Sequence, residues 1–206
     1  MTLVDYLIKN HTLKTPRIID AFKKIKRIDF LPDHLKDLAE LDEALPIGWG
    51  QTISQPTVVA FMLELLQPKE GEKILDVGFG SGWTTALLAE IVGKKGKVFG
   101  IEIIPEVFDF GKKNISKYNF LEKGRVKLIL GDGSKGYPNE APFDKILVSA
   151  SAKECPPALK RDLKIGGRLV IPIRQSLFLF KKIKENEFEK EEFPGFLFVP
   201  LVAKNE

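Results

Sequence analysis

From residue 73 onward, short apolar runs alternate with longer amphipathic ones. Lys73-Ile74-Leu75-Asp76-Val77, Lys97-Val98-Phe99-Gly100-Ile101, Val126-Lys127-Leu128-Ile129-Leu130, Lys145-Ile146-Leu147-Val148 and Arg168-Leu169-Val170-Ile171-Pro172 are the short ones. Each is too short for a helix, and most carry apolar residues in near-continuous series, as strands buried on both faces do. Helical spacing fills the gaps, from Trp83 to Val92, from Pro105 to Tyr118 and near Pro157 to Leu163. Strands alternating with helices predict a doubly wound α/β fold on a mostly parallel sheet, with the first five strands ordered 3-2-1-4-5. Leu177 to Ile183 and Phe196 to Val202 flank a charged stretch, Lys184 to Glu192. They are expected to add an antiparallel pair at the sheet edge, making seven strands, with the charged stretch as their loop.

Ahead of that alternation the pattern is helical. Val58, Val59, Phe61, Met62, Leu65 and Leu66 share a face and stop near Gln67-Pro68. Residues 1–45 read as short helices. Thr15-Pro16 supplies an N-cap and a proline at the first helical position, and Ile18, Ile19, Phe22 and Ile25 follow on one side. Between the two helical parts lies Gly48-Trp49-Gly50-Gln51-Thr52-Ile53-Ser54-Gln55-Pro56, read as a loop in which Ser54 can cap the helix beginning near Pro56. Two glycines, a tryptophan and three polar side chains are more than a plain connection needs.

Composition narrows the class. The chain has 206 residues, 44% hydrophobic and 29% charged, which suits one globular domain over 1–206. Residues 1–55 are expected to form a helical cap with the active-site loop, and 56–206 the core. The first residues lack the apolar run of a secretory signal, and no stretch is long enough to cross a membrane. A single cysteine, Cys155, excludes an internal disulfide framework and points to a reducing, cytoplasmic setting. The net charge of +4 arises from lysines scattered among nearly as many acids, without an arginine-rich block. Neither nucleic acid nor membrane is expected as a partner, and no histidine, cysteine or acid cluster calls for a metal.

The chemistry concentrates in Ile74 to Glu90, "ILDVGFGSGWTTALLAE". Gly78, Gly80 and Gly82 follow a strand and open a helix, where backbone can approach a ligand at the carboxyl edge of the sheet. A dinucleotide fingerprint would place its third glycine at position 83, but that residue is Trp83. Gly-x-Gly-x-Gly after an acid-bearing strand suits S-adenosylmethionine, which brings no pyrophosphate to the helix terminus. Asp76 adds negative potential near a sulfonium. Glu102, ending the second strand, is suited to accept from ribose hydroxyls, and Asp132 in Gly131-Asp132-Gly133 from the adenine amino group.

A methyl donor leaves the acceptor open. After the fourth strand the chain reads Ser149-Ala150-Ser151-Ala152-Lys153-Glu154-Cys155-Pro156-Pro157, not the Pro-Pro-aromatic motif of amino-base methylation. Cys155 precedes its prolines and has no arrangement that would lower its pKa, so it reads as structural. His11 and His34 belong to no triad and read as surface or cap residues. An acceptor that is already anionic needs no general base, and a carboxylate, with an unperturbed pKa of about 4, qualifies. A small acid or an RNA as acceptor, or a non-catalytic module that binds the cofactor, remain the alternatives on these residues alone.

"LPIGWGQTISQP" (Leu45 to Pro56) closely resembles the segment ahead of the first glycine motif in protein-L-isoaspartate O-methyltransferases. "RIDFLP" (Arg27 to Pro32), "GDGSKGYPNEAPFDKILVSASA" (Gly131 to Ala152), "LKIGGRLVIPI" (Leu163 to Ile173) and "FVPLV" (Phe198 to Val202) resemble the same family in the same order. The resemblance implies a Rossmann-like class I methyltransferase using S-adenosylmethionine and no metal, and acting as a monomer on isoaspartyl-containing peptides and proteins. It implies Ser54 as the catalytic residue, Thr52, Ile53, Phe198 and Val199 as substrate-binding residues, and Asp76, Gly78, Gly80, Ser81, Glu102, Asp132 and Gly133 as cofactor-binding residues. Three positions depart from the family pattern: Thr57 for a frequent histidine, Asp162 for a frequent glutamine, and Arg174 for a common glycine.

Overall fold

The computed structural model describes residues 1–202. Two helices open the chain, α1 (Leu3–Lys9) and α2 (Pro16–Lys24), followed by 3₁₀ turns at Arg27–Phe30 and Asp33–Leu38. A hairpin, β1 (Leu45–Gly48) and β2 (Gln51–Ile53), leads into α3 (Pro56–Leu66). The alternating core follows as β3 (Lys73–Val77), α4 (Trp83–Val92), β4 (Lys97–Glu102), α5 (Pro105–Ser116), β5 (Val126–Leu130), β6 (Phe143–Val148), α6 (Pro157–Asp162) and β7 (Leu163–Ile173). The chain then turns back as β8 (Ser176–Lys184) and β9 (Glu187–Pro194).

The seven-stranded sheet has the order β5-β4-β3-β6-β7-β8-β9. Its first five strands are parallel, in the expected 3-2-1-4-5 order, and β8 and β9 are antiparallel. The order reverses between β3 and β6, so a crevice opens beyond their carboxyl ends.

Because side chains alternate along a strand, the sheet divides its apolar residues between two cores. Ile74, Val98, Leu147 and Val170 pack with residues of α2, α3, α4 and α5. Leu75, Val77, Phe99, Ile101, Ile146, Leu169, Phe178 and Phe180 pack on the opposite face with Leu159 of α6. The coverage is therefore unequal. α4 is buried at all but one of its positions, whereas the opposite face has only the six-residue α6 and short 3₁₀ turns at Gly133–Lys135 and Pro138–Glu140.

The chain departs from the sequence pattern in its tail. Residues 184–192, expected as a charged loop, are mostly strand: β9 pairs with β8 from Ser176↔Pro194 to Lys184↔Glu187. Four Glu and one Lys lie along it, and such charges on an edge strand deter pairing with another chain. Residues 196–202, expected as the last strand, lie across the carboxyl edge instead. There Ser151 N–H donates to the Val199 carbonyl at 2.8 Å, and Leu201 N–H donates to the Ser151 carbonyl at 2.8 Å.

The 48–56 segment is also more ordered than a loop. Leu45 pairs with Ile53 and Gly48 with Gln51, and Trp49 and Gly50 turn the chain with φ of 52° and 69°. Two successive positive φ angles give a hairpin turn whose twist matches the flanking strands.

Candidate functional site

One crevice gathers the glycine loop, the hairpin and the tail. Its walls include Thr52, Ile53 and Ser54 on one side, Gly78 to Ser81 and Glu102 on another, and Val199 to Val202 across the top. Gly131 and Gly133 close the far end, and Trp83, Thr84, Ser149 and Ala150 the floor.

The glycine loop is held from behind. Gly82 sits at φ 88°, and a Cβ there would meet Ile115 at 2.7 Å. α5 approaches this loop so closely at Gly111 that a Cβ would lie 2.6 Å from the Phe79 ring and would overlap the Gly80 carbonyl. Asn114 completes the clamp, its Nδ2 donating to the Ser81 carbonyl at 3.1 Å. Neither Gly111 nor Asn114 carried a signal in the sequence, since each looks like an ordinary position in an amphipathic helix.

Glu102 faces this loop from the end of β4. Its Oε1 accepts from the amides of Ile103 (2.8 Å) and Ile104 (3.1 Å), and its Oε2 accepts from Gly80 N–H at 3.1 Å. Each carboxylate oxygen can accept twice, so Oε2 retains capacity for a ligand hydroxyl. Apolar Val77, Ile101, Ile103 and Ile104 line the space beside it. A ribose acceptor beside an apolar slot fits a nucleoside.

Two of the expected acids lie outside the lining. Asp76 is fully buried beneath the loop, where Thr84 and Thr85 hydroxyls donate to its Oδ2 at 3.0 and 2.6 Å. Burial raises its pKa to about 6, although both threonine bonds oppose that shift. Asp76 fixes the first turn of α4 through Oδ2, while its buried Oδ1 has no partner among the described residues. Asp132 accepts from Ser134 N–H (2.9 Å) and Oγ (2.6 Å), organising the 3₁₀ turn that presents Gly133. Phe198 also turns away, packing into the helical core, while its neighbour Val199 lines the crevice.

Ser54 reaches the crevice through long-range support. It does not cap α3, as the sequence suggested. Asp42 takes that place, its Oδ1 accepting from Thr57 N–H at 2.8 Å and its Oδ2 from Thr57 Oγ1 at 2.6 Å and Gln55 Nε2 at 3.3 Å. The α3 terminus is already satisfied by an internal anion, and Thr57 is committed to it. The second support is Arg27, buried at 5% exposure. Its guanidinium donates to the carbonyls of Ala39 (3.2 Å), Leu41 (3.0 Å), Glu43 (2.6 Å) and Ser54 (3.4 Å), and lies 5.7 Å from the Trp83 ring centroid. Desolvation draws its pKa down to about 10, well above neutrality. One side chain thus ties the helical cap, the hairpin and the floor of the crevice together. "RIDFLP" contained this arginine, but nothing in the segment disclosed its four carbonyl partners.

The remaining sequence candidates lie elsewhere. Cys155 is half-buried against the second core, with its thiol pushed up to about 11 by desolvation. His11 and His34 are exposed in the cap. Among the described residues no group of three or more His, Cys, Asp or Glu side chains could hold a metal ion. No helix among them is long and apolar enough to cross a membrane.

A doubly wound sheet with a glycine loop at its switch point and a ribose acceptor on the next strand has the architecture of a class I methyltransferase. The comparisons narrow this class. The family model for protein-L-isoaspartate(D-aspartate) O-methyltransferase matches residues 1–206. The chain is 43% identical to a protein-L-isoaspartate O-methyltransferase of Methanopyrus kandleri, covering 98% of this chain and 90% of that one. It is 44% identical to one from Archaeoglobus fulgidus, covering 91% and 86% respectively. The fold also resembles that of a Plasmodium falciparum beta-aspartate methyltransferase crystallised with S-adenosyl-L-homocysteine. That match has a TM-score of 0.87 and 27% identity and covers 98% of this chain and 97% of the other. The chain belongs to the protein-L-isoaspartate (D-aspartate) O-methyltransferase family.

Proposed function

We propose that this protein transfers a methyl group from S-adenosylmethionine to the α-carboxylate of L-isoaspartyl residues in damaged proteins. The ester then closes to a succinimide, whose hydrolysis returns part of the chain to normal aspartate. Beyond family membership, one observation carries the reading. Among the described residues Glu102 is the only ionisable side chain in the crevice lining, and three backbone amides hold it.

Among the described residues no lysine, histidine or cysteine lines the crevice to act as a base or nucleophile. An acceptor that must lose a proton would find only Glu102, which three amides already hold, whereas a carboxylate arrives ionised. When bound, the cofactor supplies an electrophilic methyl group on a positively charged sulfur. Glu102 and the glycine loop orient the nucleoside part, and Ser54 donates its hydroxyl to the acceptor carboxylate, fixing one oxygen toward the methyl carbon. Thr52, Ile53 and Val199 exclude water and align the acceptor chain. Orientation of this kind reaches effective molarities on the order of 10⁵–10⁸ M without acid–base help. Asp76 and Asp132 support the cofactor site through the loops they organise. Cap and core act as one unit, because Arg27 joins them at Ser54.

The test is methyl transfer from labelled S-adenosylmethionine to paired isoaspartyl and aspartyl peptides of the same sequence. The expected product is a base-labile label on the isoaspartyl member alone. A protein that binds the cofactor but labels neither peptide, or forms a base-stable product, would overturn the assignment.

A further inference from the structure

The thinly covered face of the sheet carries a second feature. Beside the β7–β8 turn, Lys153, Lys160, Arg174 and Lys190 line a groove floored by Phe178 and Phe180. Glu154 and Glu192 are the acids along it, so cations lead by two. None of the four cations forms an ion pair among the described residues, although pairs are common elsewhere on the surface.

These cations are also arranged. The Lys190 ammonium lies 4.3 Å from the Phe178 ring centroid, and that of Lys160 lies 4.8 Å from the Phe180 centroid. Ring faces hold such ammonium groups in place without neutralising them. Arg174 is exposed at φ 56°, a left-handed conformation that favours glycine. The turn therefore holds a cation in a disfavoured backbone conformation, and its guanidinium has no ion-pair partner among the described residues.

The groove and the crevice are linked through the backbone. Ser151 donates its hydroxyl to the Arg174 carbonyl at 3.0 Å, while its backbone pairs with Val199 and Leu201 of the crevice wall. A single residue thus joins the two sites.

We infer that this groove is an exosite for the polypeptide substrate, binding carboxylates of acidic residues that flank the isoaspartyl residue. The inference rests on the methyl-transfer reading above. Charge complementarity selects the ligand: unpaired cations on an aromatic floor, one residue from the wall that receives the acceptor chain. Flanking acids then lower KM and leave kcat unchanged, because the groove touches neither reacting atom.

The experiment uses isoaspartyl peptides in which a single flanking Gln is replaced by Glu, one position at a time. At low salt, the best-placed Glu should lower KM about five-fold relative to its Gln twin, and the difference should shrink in 0.5 M salt, where the screening length is only a few ångströms (about 4 Å). Arg174→Gly, which suits the turn, combined with Lys153→Gln should abolish the preference and leave the Gln peptide unchanged. Equal KM values for the Glu and Gln twins in the unaltered protein would overturn the exosite. So would a preference that survives in the double variant, or competition by an oligonucleotide but not by an acidic peptide. Failure to methylate any isoaspartyl peptide would instead strike the parent reading, and the exosite with it.

Discussion

The two walls of the crevice are built on different principles. On the proposed reading, the wall that takes the cofactor comes from consecutive strand ends of one sheet, so the glycine loop, Glu102 and the Asp132 turn fall into place when three neighbouring strands pair; the opposite wall takes the acceptor. The acceptor wall has no such frame. Its Ser54 sits between a three-residue strand and a helix; Arg27 holds its carbonyl and Asp42 holds the neighbouring Gln55 and Thr57. A sheet positions a ligand site through register, whereas a short hairpin needs side chains from a distance to do the same. The acceptor wall should therefore be the more fragile of the two, and the more easily altered without loss of cofactor binding.

Removing Arg27 should break that contrast most severely. Arg27→Ala leaves four carbonyls without their donor and should cost about 3–5 kcal/mol, by analogy with removing one member of a buried polar set. Urea unfolding measures this loss. Arg27→Lys should rescue little, because an ammonium cannot reproduce the guanidinium fork.

Gly111→Ala attacks the other wall. The added methyl meets the Phe79 ring and the Gly80 carbonyl, and relieving that overlap should cost about 1–3 kcal/mol. Calorimetry should show weaker cofactor binding, with the methylation rate at saturating cofactor far less affected. If cofactor affinity stays unchanged, α5 does not brace the loop.

Ser54→Ala separates the walls directly. Loss of one donor to the acceptor should lower kcat by about 10²-fold, near the low end for donors that stabilise charge in a reacting group, and cofactor affinity should hold. Equal losses in both would make Ser54 a structural residue of the crevice.

Asp76 sharpens the comparison through pH. Its carboxyl titrates near 6 when folded and near 3.9 when unfolded, so the folded protein holds the extra proton between those values. The cost of burying the charge is absent below about pH 4, grows as pH rises, and is complete above about 6. Asp76→Asn should remove this part of the pH dependence, making the variant relatively more stable at pH 7 than at pH 4.5 when each is compared with the unaltered protein. Denaturant midpoints at the two pH values provide the check.

The smallest effect belongs to the edge turn. Arg174→Gly relieves a left-handed arginine but adds flexibility to the unfolded chain, and the two terms nearly cancel. The melting temperature should move by no more than a few degrees, corresponding to about 0.5 kcal/mol or less.

Legibility in the sequence followed the range of the interactions. The parallel strands were plain because each carries its own continuous apolar run. β9 was not, because an edge strand that faces solvent reads Glu-Phe-Glu-Lys-Glu-Glu like any charged loop. The helix cap was misread for a related reason: Ser54 stood at the right spacing, but Asp42, twelve residues upstream, fills the site.

The sequence by itself determined the five parallel strands and their order, the glycine loop and the acid at the end of β4, since these follow from apolar periodicity and motifs contained within one strand–loop–helix unit. The family motifs likewise pointed to the segment around Ser54, which lines the crevice. Only the tertiary structure decided which acids reach the crevice, what braces the glycine loop, and how Arg27 carries Ser54 to its place. Those outcomes depend on burial and on partners far apart along the chain, and neither is encoded in any local pattern of residues.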